Sequence, residues 1–200
     1  VTFGWSNYPG INKVFGSPRQ RVPTFDLSCE DYGLVYRLAT KNQGPRLRVD
    51  LQSEFLGEVP VGNVLAEIKG TGKKASEIVM LSAHMDSWEA GSGATDNATG
   101  TITMLEAMRI LKRAGVAPKR TIIAGHWAGE EQGLNGSRSF VKDHPEVVAK
   151  LHALFNQDNG TGRIVGLSAS GLVGADTVLR NYLSQLPSDF TQWMRYGGVG

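Results

Sequence analysis

Four short apolar segments without polar–apolar alternation constrain the fold of this chain most strongly. They cover residues 63–68, 78–83, 121–127 and 151–155. Such segments are typical of strands that are buried on both faces of a sheet. Helical patterns lie between them, and in the clearest one four apolar residues share a face: Ile102, Leu105, Met108 and Leu111. Strands that alternate with helices predict an α/β fold, with a mostly parallel, doubly wound sheet and helices on both faces.

The N-terminal part of the chain follows another pattern. Residues 22–27 predict a short strand, and Ser28 with Asp31 three residues later predicts the N-cap of a helix that runs to about residue 40. Apolar and polar residues then alternate over residues 46–52, which predicts a half-buried strand. Three more elements are expected later: helices over 134–141 and 177–186, and a strand over 163–168.

Composition excludes several classes of function. The 21 basic and 19 acidic residues leave a net charge of +2, and the basic residues do not cluster, so nucleic acid is not an expected partner. No apolar stretch approaches the length of about 20 residues that spans a bilayer. Cys29 is the single cysteine, which excludes a disulfide framework within the chain. Because the chain begins with Val1 and a Gly/Pro-rich stretch, we expect it to start inside a longer protein.

Polar segments at the ends of the apolar runs carry the chemistry of the chain. They are His84-Met85-Asp86, Thr95-Asp96-Asn97, Gly129-Glu130-Glu131-Gln132 and Gln157-Asp158-Asn159. An open α/β sheet collects its ligands beyond the carboxyl ends of its strands. One imidazole with several carboxylates gives the nitrogen and oxygen ligands that zinc accepts. The sequence therefore predicts a metal site at this edge of the sheet.

Each of these residues also has an ordinary structural explanation. His84 can be an incidental polar strand end, Asp96 an N-cap, and Asp158 a turn residue. Glu130 and Glu131 can mark a solvated helix start, although two like charges behind a buried strand need a cation or a proton to coexist. Taken together, the ordinary explanations require four separate coincidences at successive strand ends, and a shared site requires none.

Longer stretches around these residues carry a family resemblance. They are Ser82–Trp88, Gly93–Gly100, Gly129–Leu134 and Asn156–Gly162. Their sequences closely resemble motifs of the co-catalytic di-zinc exopeptidases, especially the carboxypeptidase Q-like branch. The resemblance extends over about residues 23–171. It implies the α/β core of those enzymes and two zinc ions (Zn2+) in the complete catalytic domain.

The resemblance implies a metal-binding role for four residues. His84, Asp96 and Asp158 would hold one zinc ion. Asp96 would also bridge to a second zinc ion, which Glu131 and a late histidine would hold. A peptide bond in the cis form is expected directly after this bridging residue, between Asp96 and Asn97.

Two further residues receive catalytic roles by the same resemblance. Glu130 would be the general base that takes a proton from the attacking water, and Asp86 would be hydrogen-bonded to the ring of His84. The implied reaction is hydrolysis of peptide bonds in dipeptides or short peptides by a metal-activated water. Specificity for the amino end, the carboxyl end or dipeptides stays open.

One ligand of the family pattern has no counterpart in the chain. The last zinc ligand of the family is a histidine in a Gly-Gly-Ser/Thr-Asp-His type of segment, and His126, His144 and His152 are poor substitutes by their positions. We therefore expect residues 56–200 to be the N-terminal part of an incomplete catalytic domain, and residues 1–55 the C-terminal part of a protease-associated-like domain. The chain alone should then bind about one zinc ion and show little peptidase activity.

Two other functions remain open from the sequence. A glutaminyl-cyclase-like zinc acyltransferase uses a similar core, and a non-catalytic binding homologue could keep the fold. The presence of both Glu130 and Glu131 disfavours the second alternative. The resemblance also implies a peptide or dipeptide substrate and a secreted or periplasmic location, and it is compatible with a homodimer.

Overall fold

The structure, a computed structural model, describes residues 27–50, 52, 59–88, 91–158, 160–169 and 172–197. Its helices are α1 (Cys29–Thr40), α2 (Thr99–Arg113), α3 (Asn135–Asp143), α4 (Pro145–Val148), α5 (Ala175–Leu183) and α6 (Ser188–Thr191). Its strands are β1 (Val64–Ile68), β2 (Ile78–His84), β3 (Thr121–Trp127), β4 (Leu151–Asn156), β5 (Gly166–Ser168) and β6 (Arg195–Gly197). A 3-10 turn covers Gly72–Lys74, and a π-helical turn covers Ala94–Ala98.

A four-stranded sheet with the order β1-β3-β2-β4 organises the described residues. Strand β2 is parallel to both β3 and β4, whereas β1 is antiparallel to β3. The prediction of an α/β fold with a mostly parallel sheet is therefore confirmed, with an antiparallel strand added at one edge. Strands β5 and β6 form a separate parallel pair.

The two central strands are buried on both faces, as their apolar sequences predict. On one face, Met80 and Ile123 belong to a cluster with Trp127 and Phe140, whose ring centroids lie 5.2 Å apart. Side chains alternate along a strand, so Ala83, with 0% exposure, is buried on the opposite face. Helix α2 packs on β2 and β3 with its two methionines, Met104 and Met108, buried. This packing holds the carboxyl ends of β2 and β3 in a rigid frame.

The helix predictions hold well, because capping residues and apolar periodicity act locally. Ser28 caps α1 as predicted: its hydroxyl oxygen accepts a hydrogen bond from the backbone N–H of Asp31 at 3.2 Å. Helices α3 and α5 begin and end within three residues of the predicted ranges. Among the described residues, none of the helices has the length and apolar composition needed to cross a lipid bilayer.

The predicted strand over residues 46–52 is wrong for the part that the structure describes. Residues 46–50 form no strand, and Leu47 and Val49 are 60% and 50% exposed. Alternation makes one side of an extended segment apolar, but a strand also needs a neighbouring strand to bond its backbone groups. The predicted strand over residues 22–27 lies outside the described residues except for its last position. The proposed boundary between two domains at residue 55 also lies in a segment that is not described and stays a prediction.

Candidate active site

Three predicted metal ligands meet at one edge of the sheet. His84 is the last residue of β2, Asp158 follows the end of β4, and Asp96 lies in the π-helical turn before α2. The Nε2 atom of His84 is 2.8 Å from Oδ1 of Asp158 and 3.0 Å from Oδ1 of Asp96. The ligand atoms of all three side chains lie within 4.8 Å of one another. One imidazole nitrogen and two carboxylate oxygens are a donor set that fits a zinc ion.

The charges of this cluster favour a cation. Burial by itself would lower the pKa of His84, but the carboxylates of Asp158, Glu130, Asp86 and Asp96 around the ring raise it overall. Burial raises the pKa of Asp158, although the neighbouring His84 opposes this shift. Carboxylates that converge on one point repel each other unless a proton or a metal ion lies between them. The site therefore has an electrostatic reason to bind a divalent ion.

The ring of His84 is held in one orientation by its other nitrogen. Nδ1 lies 3.1 Å from the backbone carbonyl oxygen of Asp86, and donation of the Nδ1 proton to this oxygen leaves the Nε2 lone pair directed at the cluster. The expected contact between Asp86 and the ring is thus made by the main chain. The nearer carboxylate oxygen of Asp86 is 3.6 Å from Nδ1, which is too long for a hydrogen bond.

The carboxylate of Asp86 instead binds the loop that carries the two glutamates. It accepts a hydrogen bond from the backbone N–H of Glu130 at 3.0 Å and another from that of Glu131 at 3.2 Å. Both glutamates follow β3 directly, so the strand and Asp86 together position them. The role of Asp86 in this geometry is to orient the glutamate backbone as well as the ring of His84.

Glu130 lies beside the metal-ligand cluster, and its side chain is largely shielded from solvent. Its Oε2 is 3.9 Å from Nε2 of His84, and its side chain is 12% exposed. Burial raises the pKa of Glu130 to about 7; His84 opposes this rise, whereas Asp158, Glu131 and Asp86 add to it. A carboxyl group with this pKa exchanges its proton near neutral pH, which is the property that a general base needs.

Glu131 is the more buried of the two glutamates, with 6% exposure. Burial raises its pKa, and the negative charge of Asp96 raises it further. Glu131 does not belong to the three-residue group of close ligand atoms, but Asp96 lies near enough to affect it.

An apolar cavity of about 270 Å³ adjoins Glu130. It reaches His84, Glu130 and Asp158, and its wall includes Trp127 and Phe140 of the core cluster. Apolar walls keep water away from one side of the carboxyl groups. This environment is the physical reason that burial raises the pKa of Glu130.

The sequence indicated no role for Asn97, yet this residue connects the segments that carry Asp96 and Asp158. It is 2% exposed; its Nδ2 donates to the carbonyl oxygen of Gln157 at 2.9 Å, and its Oδ1 accepts from the N–H of Gly100 at 3.1 Å. A Cβ atom at Gly100 would lie 2.3 Å from Oδ1 of Asn97, so only glycine fits there. Asn97 thereby ties the segment of Asp96 to the segment of Asp158.

The peptide bond between Asp96 and Asn97 is cis, which confirms the expectation from the resemblance. One of the two contacts of Asn97 could have been predicted from local spacing in the sequence. An asparagine that directly follows a ligand, with a glycine three residues later, matches the spacing of a side chain that caps the next helix. The partner carbonyl of Gln157 lies 60 residues away, so this second contact could not be read from local spacing.

The other histidines do not join the cluster. The chain has four histidines, and within the described residues only His84 belongs to a group of three potential metal ligands. His126 is buried in β3, and its two ring nitrogens have no hydrogen-bond partner among the described residues. The side chains of His144 and His152 are 49% and 52% exposed. That none of the three replaces the late histidine stays a prediction.

Comparison with known proteins identifies relatives for most of the chain. The model of Peptidase family M28 matches residues 63–196. Carboxypeptidase Q of Pongo abelii is 30% identical over 195 residues, which covers 96% of this chain and 41% of that protein. Leucine aminopeptidase 1 of Arthroderma otae is 36% identical over 126 residues, which covers 55% of this chain and 31% of that protein. The chain spans about two fifths or less of the length of these curated relatives.

Solved structures show the same fold. A Peptidase M28 precursor from Shewanella amazonensis SB2B superposes with a TM-score of 0.71 at 26% identity, over 91% of this chain and 41% of that one. LapB from Legionella pneumophila superposes with a TM-score of 0.56 at 24% identity, over 69% of this chain and 38% of that one. The second likeness concerns the fold alone.

Proposed function

Because the chain belongs to peptidase family M28, we propose that it forms part of a zinc-dependent exopeptidase that acts on dipeptides or short peptides. The observation that carries this proposal is the convergence of His84, Asp96 and Asp158 beside a buried glutamate. Relatives named as a carboxypeptidase and an aminopeptidase support the reaction class, and they leave open which end of the peptide is removed.

In this proposal the chain supplies most of the ligands for two zinc ions. His84, Asp96 and Asp158 hold the first ion, and Asp96 with Glu131 contributes to the second. Bound zinc lowers the pKa of a water molecule and polarises the scissile carbonyl group. The imidazole of His84 and the paired carboxylates favour zinc over magnesium, which takes oxygen ligands alone.

Glu130 acts as the general base. Its carboxylate accepts the proton of the attacking water and later passes it to the amine that leaves. Two features of the structure support this assignment: Oε2 lies 3.9 Å from Nε2 of His84, and burial raises the pKa of Glu130 to about 7. Asp86 keeps the base in place through its hydrogen bonds to the backbone of the two glutamates.

We extend the proposal to the organisation of the whole protein. Residues 56–200 are the N-terminal part of a catalytic domain, and a histidine beyond them completes the second zinc site. Residues 1–55 are the end of a protease-associated-like domain. The coverage of 41% of carboxypeptidase Q by this chain supports such an arrangement. A secreted or periplasmic location and a homodimer remain predictions from the resemblance.

The decisive experiment uses the protein extended to the length of its relatives. Glu130→Gln should keep its zinc content but lose peptide turnover by about 10²–10⁴-fold, because a proton acceptor is removed and no metal ligand is changed. Glu106→Gln, on the exposed surface of α2, is the matched control and should keep full turnover. Full turnover in Glu130→Gln would remove Glu130 from the mechanism.

The same preparation separates the alternative functions. Cyclisation of peptides with N-terminal glutamine, in place of their hydrolysis, would identify a glutaminyl-cyclase-like acyltransferase. Zinc binding without any turnover of peptides would identify a non-catalytic homologue. Cleavage of tripeptides that are blocked at the amino end would identify a carboxypeptidase, and cleavage of tripeptides that are blocked at the carboxyl end would identify an aminopeptidase. Cleavage of dipeptides alone would identify a dipeptidase.

A further inference from the structure

Asn63 makes two hydrogen bonds that connect the start of β1 to the glutamate loop, which we define as residues 128–136. Its Nδ2 donates to the carbonyl oxygen of Gly136 at 2.9 Å. Its Oδ1 accepts from the backbone N–H of Ala128 at 3.0 Å. These two partners are the first and last residues of the loop, so one side chain binds both of its ends.

The ends of the glutamate loop are also bonded to each other. The N–H of Gly136 donates to the carbonyl oxygen of Ala128 at 2.9 Å, and the N–H of Asn135 donates to that of Gly129 at 3.0 Å. A Cβ atom at Gly136 would lie 2.2 Å from Oδ1 of Asn63 and 2.5 Å from the carbonyl oxygen of Ala128. The base of the loop is therefore closed tightly enough that only glycine fits beside Asn63.

The opposite side of the loop is held by Asp86, whose carboxylate binds the N–H groups of Glu130 and Glu131. We infer that Asn63 is a positioning residue for the proposed reaction: by closing the base of the glutamate loop, it places Glu130 and Glu131 at the metal-ligand cluster. The inference rests on the proposed function for the roles of the two glutamates. Asn63 itself touches neither glutamate side chain in any hydrogen bond that the structure describes.

An asparagine is suited to this position for a chemical reason. The amide group is planar and offers a donor and an acceptor side by side, so it satisfies one backbone N–H and one backbone carbonyl at once. Asn63→Leu removes both functions and leaves the buried Ala128, at 7% exposure, with an unpaired N–H. Asn63→Asp keeps the acceptor for Ala128 but loses the donor for Gly136.

Thr121 provides a matched control at the other end of β3. Its hydroxyl group donates to the carbonyl oxygen of Ala75 at 2.8 Å and accepts from the N–H of Gly70 at 3.0 Å. Thr121→Val therefore also removes two hydrogen bonds between a largely buried side chain and the backbone, but far from the glutamate loop along the strand. A general loss of stability would appear in both variants, whereas a local loss of order in the glutamate loop would appear only in Asn63→Leu.

Amide hydrogen exchange of the metal-free 200-residue chain tests the inference without any activity measurement. In Asn63→Leu, the amides of Glu130 and Glu131 should exchange at least about tenfold faster than in the unmodified chain, because the loop opens locally. Asn63→Asp should give an intermediate rate, and Thr121→Val should leave these two amides unchanged. Unchanged exchange in both Asn63 variants, or equal acceleration in Thr121→Val, would overturn the inference.

Kinetics of the protein extended to the length of its relatives give the second measurement. Asn63→Leu should lower kcat by about 10-fold with a nearly unchanged KM, which is within the range of about 10–100-fold seen for outer hydrogen-bond partners of a metal site. Thr121→Val should keep kcat. If the unmodified protein neither binds zinc nor hydrolyses peptides, the proposed function fails, and the exchange rates still decide the role of Asn63. An unchanged kcat in Asn63→Leu would overturn the inference.

Discussion

His84 and His126 are equally buried, at 2% exposure each, yet their surroundings are opposite. They lie on neighbouring strands, one residue out of register, since His126 is paired with Ala83 and His84 with Trp127. Each ring nitrogen of His84 has polar neighbours within 3.1 Å. Within the part of the chain that the structure describes, the ring nitrogens of His126 have no hydrogen-bond partner. Burial of a histidine therefore says little about its function until its neighbours are known.

The difference follows from the position of each residue in the sheet. His84 and Trp127 are register partners on parallel strands and point to the same face, so His126 points to the other face. The segments that carry Asp96, Asp158 and the glutamates arrive at the carboxyl edge, on the side of His84. The carboxylates there raise the pKa of His84, whereas burial alone lowers the pKa of His126.

The strongest test of this difference between the two histidines replaces each imidazole ring in turn. His84→Gln should lower zinc affinity by more than about 100-fold, because it deletes a metal ligand and not merely an outer hydrogen-bond partner. His126→Leu should leave zinc affinity unchanged. Calorimetric zinc titration of both variants measures the effect. An unchanged affinity in His84→Gln would place the metal elsewhere.

A second, smaller effect is expected from the residue that ties the ligands around His84 together. Asn97→Ala removes the connection between the segments of Asp96 and Asp158, so the cluster should become less ordered. Zinc affinity should fall by about 10–100-fold while all ligands remain. Thr121→Val serves as the control for a general loss of packing. Equal zinc affinities in the two variants would show that Asn97 has no special role.

His126 allows a prediction about stability. A buried polar group without a partner costs about 1–3 kcal/mol, so His126→Leu should raise the free energy of unfolding by about 1 kcal/mol. His152→Leu, at a half-exposed position on β4, should change it by less than about 0.5 kcal/mol. Urea unfolding of the metal-free chain measures both. A clear loss of stability in His126→Leu would mean that the ring makes a favourable contact.

The pH dependence of stability gives a further comparison, in which Glu130 and His126 should act in opposite directions. The pKa of Glu130 is raised from 4.5 to about 7, so the folded metal-free protein keeps a proton that the unfolded chain releases. The contribution of this proton is complete below pH 4.5 and is lost as the pH rises through 7. Glu130→Gln should therefore gain stability relative to the unmodified chain as the pH rises through this window.

His126 should show the reverse trend. Burial lowers its pKa below 6.5, so the unfolded chain binds a proton that the folded protein does not take up. Stability is therefore lost as the pH falls below 6.5, and the advantage of His126→Leu should grow in acid. Thermal unfolding in the presence of a chelator, from pH 5 to pH 8 in steps of about one unit, compares both variants with the unmodified chain. Parallel curves for all three proteins would contradict both assignments.

Local patterns in the sequence predicted much of the fold and named the candidate ligands. Apolar runs and helical periodicity are local properties, so the four main strands and helices α1, α2, α3 and α5 could be predicted from them. His84, Asp96 and Asp158 could be predicted to meet because parallel strands end at a common edge. The pattern over residues 46–52 misled the prediction, because a strand also requires a neighbour that the pattern cannot supply.

Contacts between distant parts of the chain determine which polar residues serve the site and which do not. Asn63 bonds to residues 65 and 73 positions away, and the partner of Asn97 lies 60 positions away. The contrast between His84 and His126 depends on a register difference of one residue between β2 and β3. Hydrogen bonds reach only about 3 Å, so they depend on strand register and loop closure, which the whole chain establishes together.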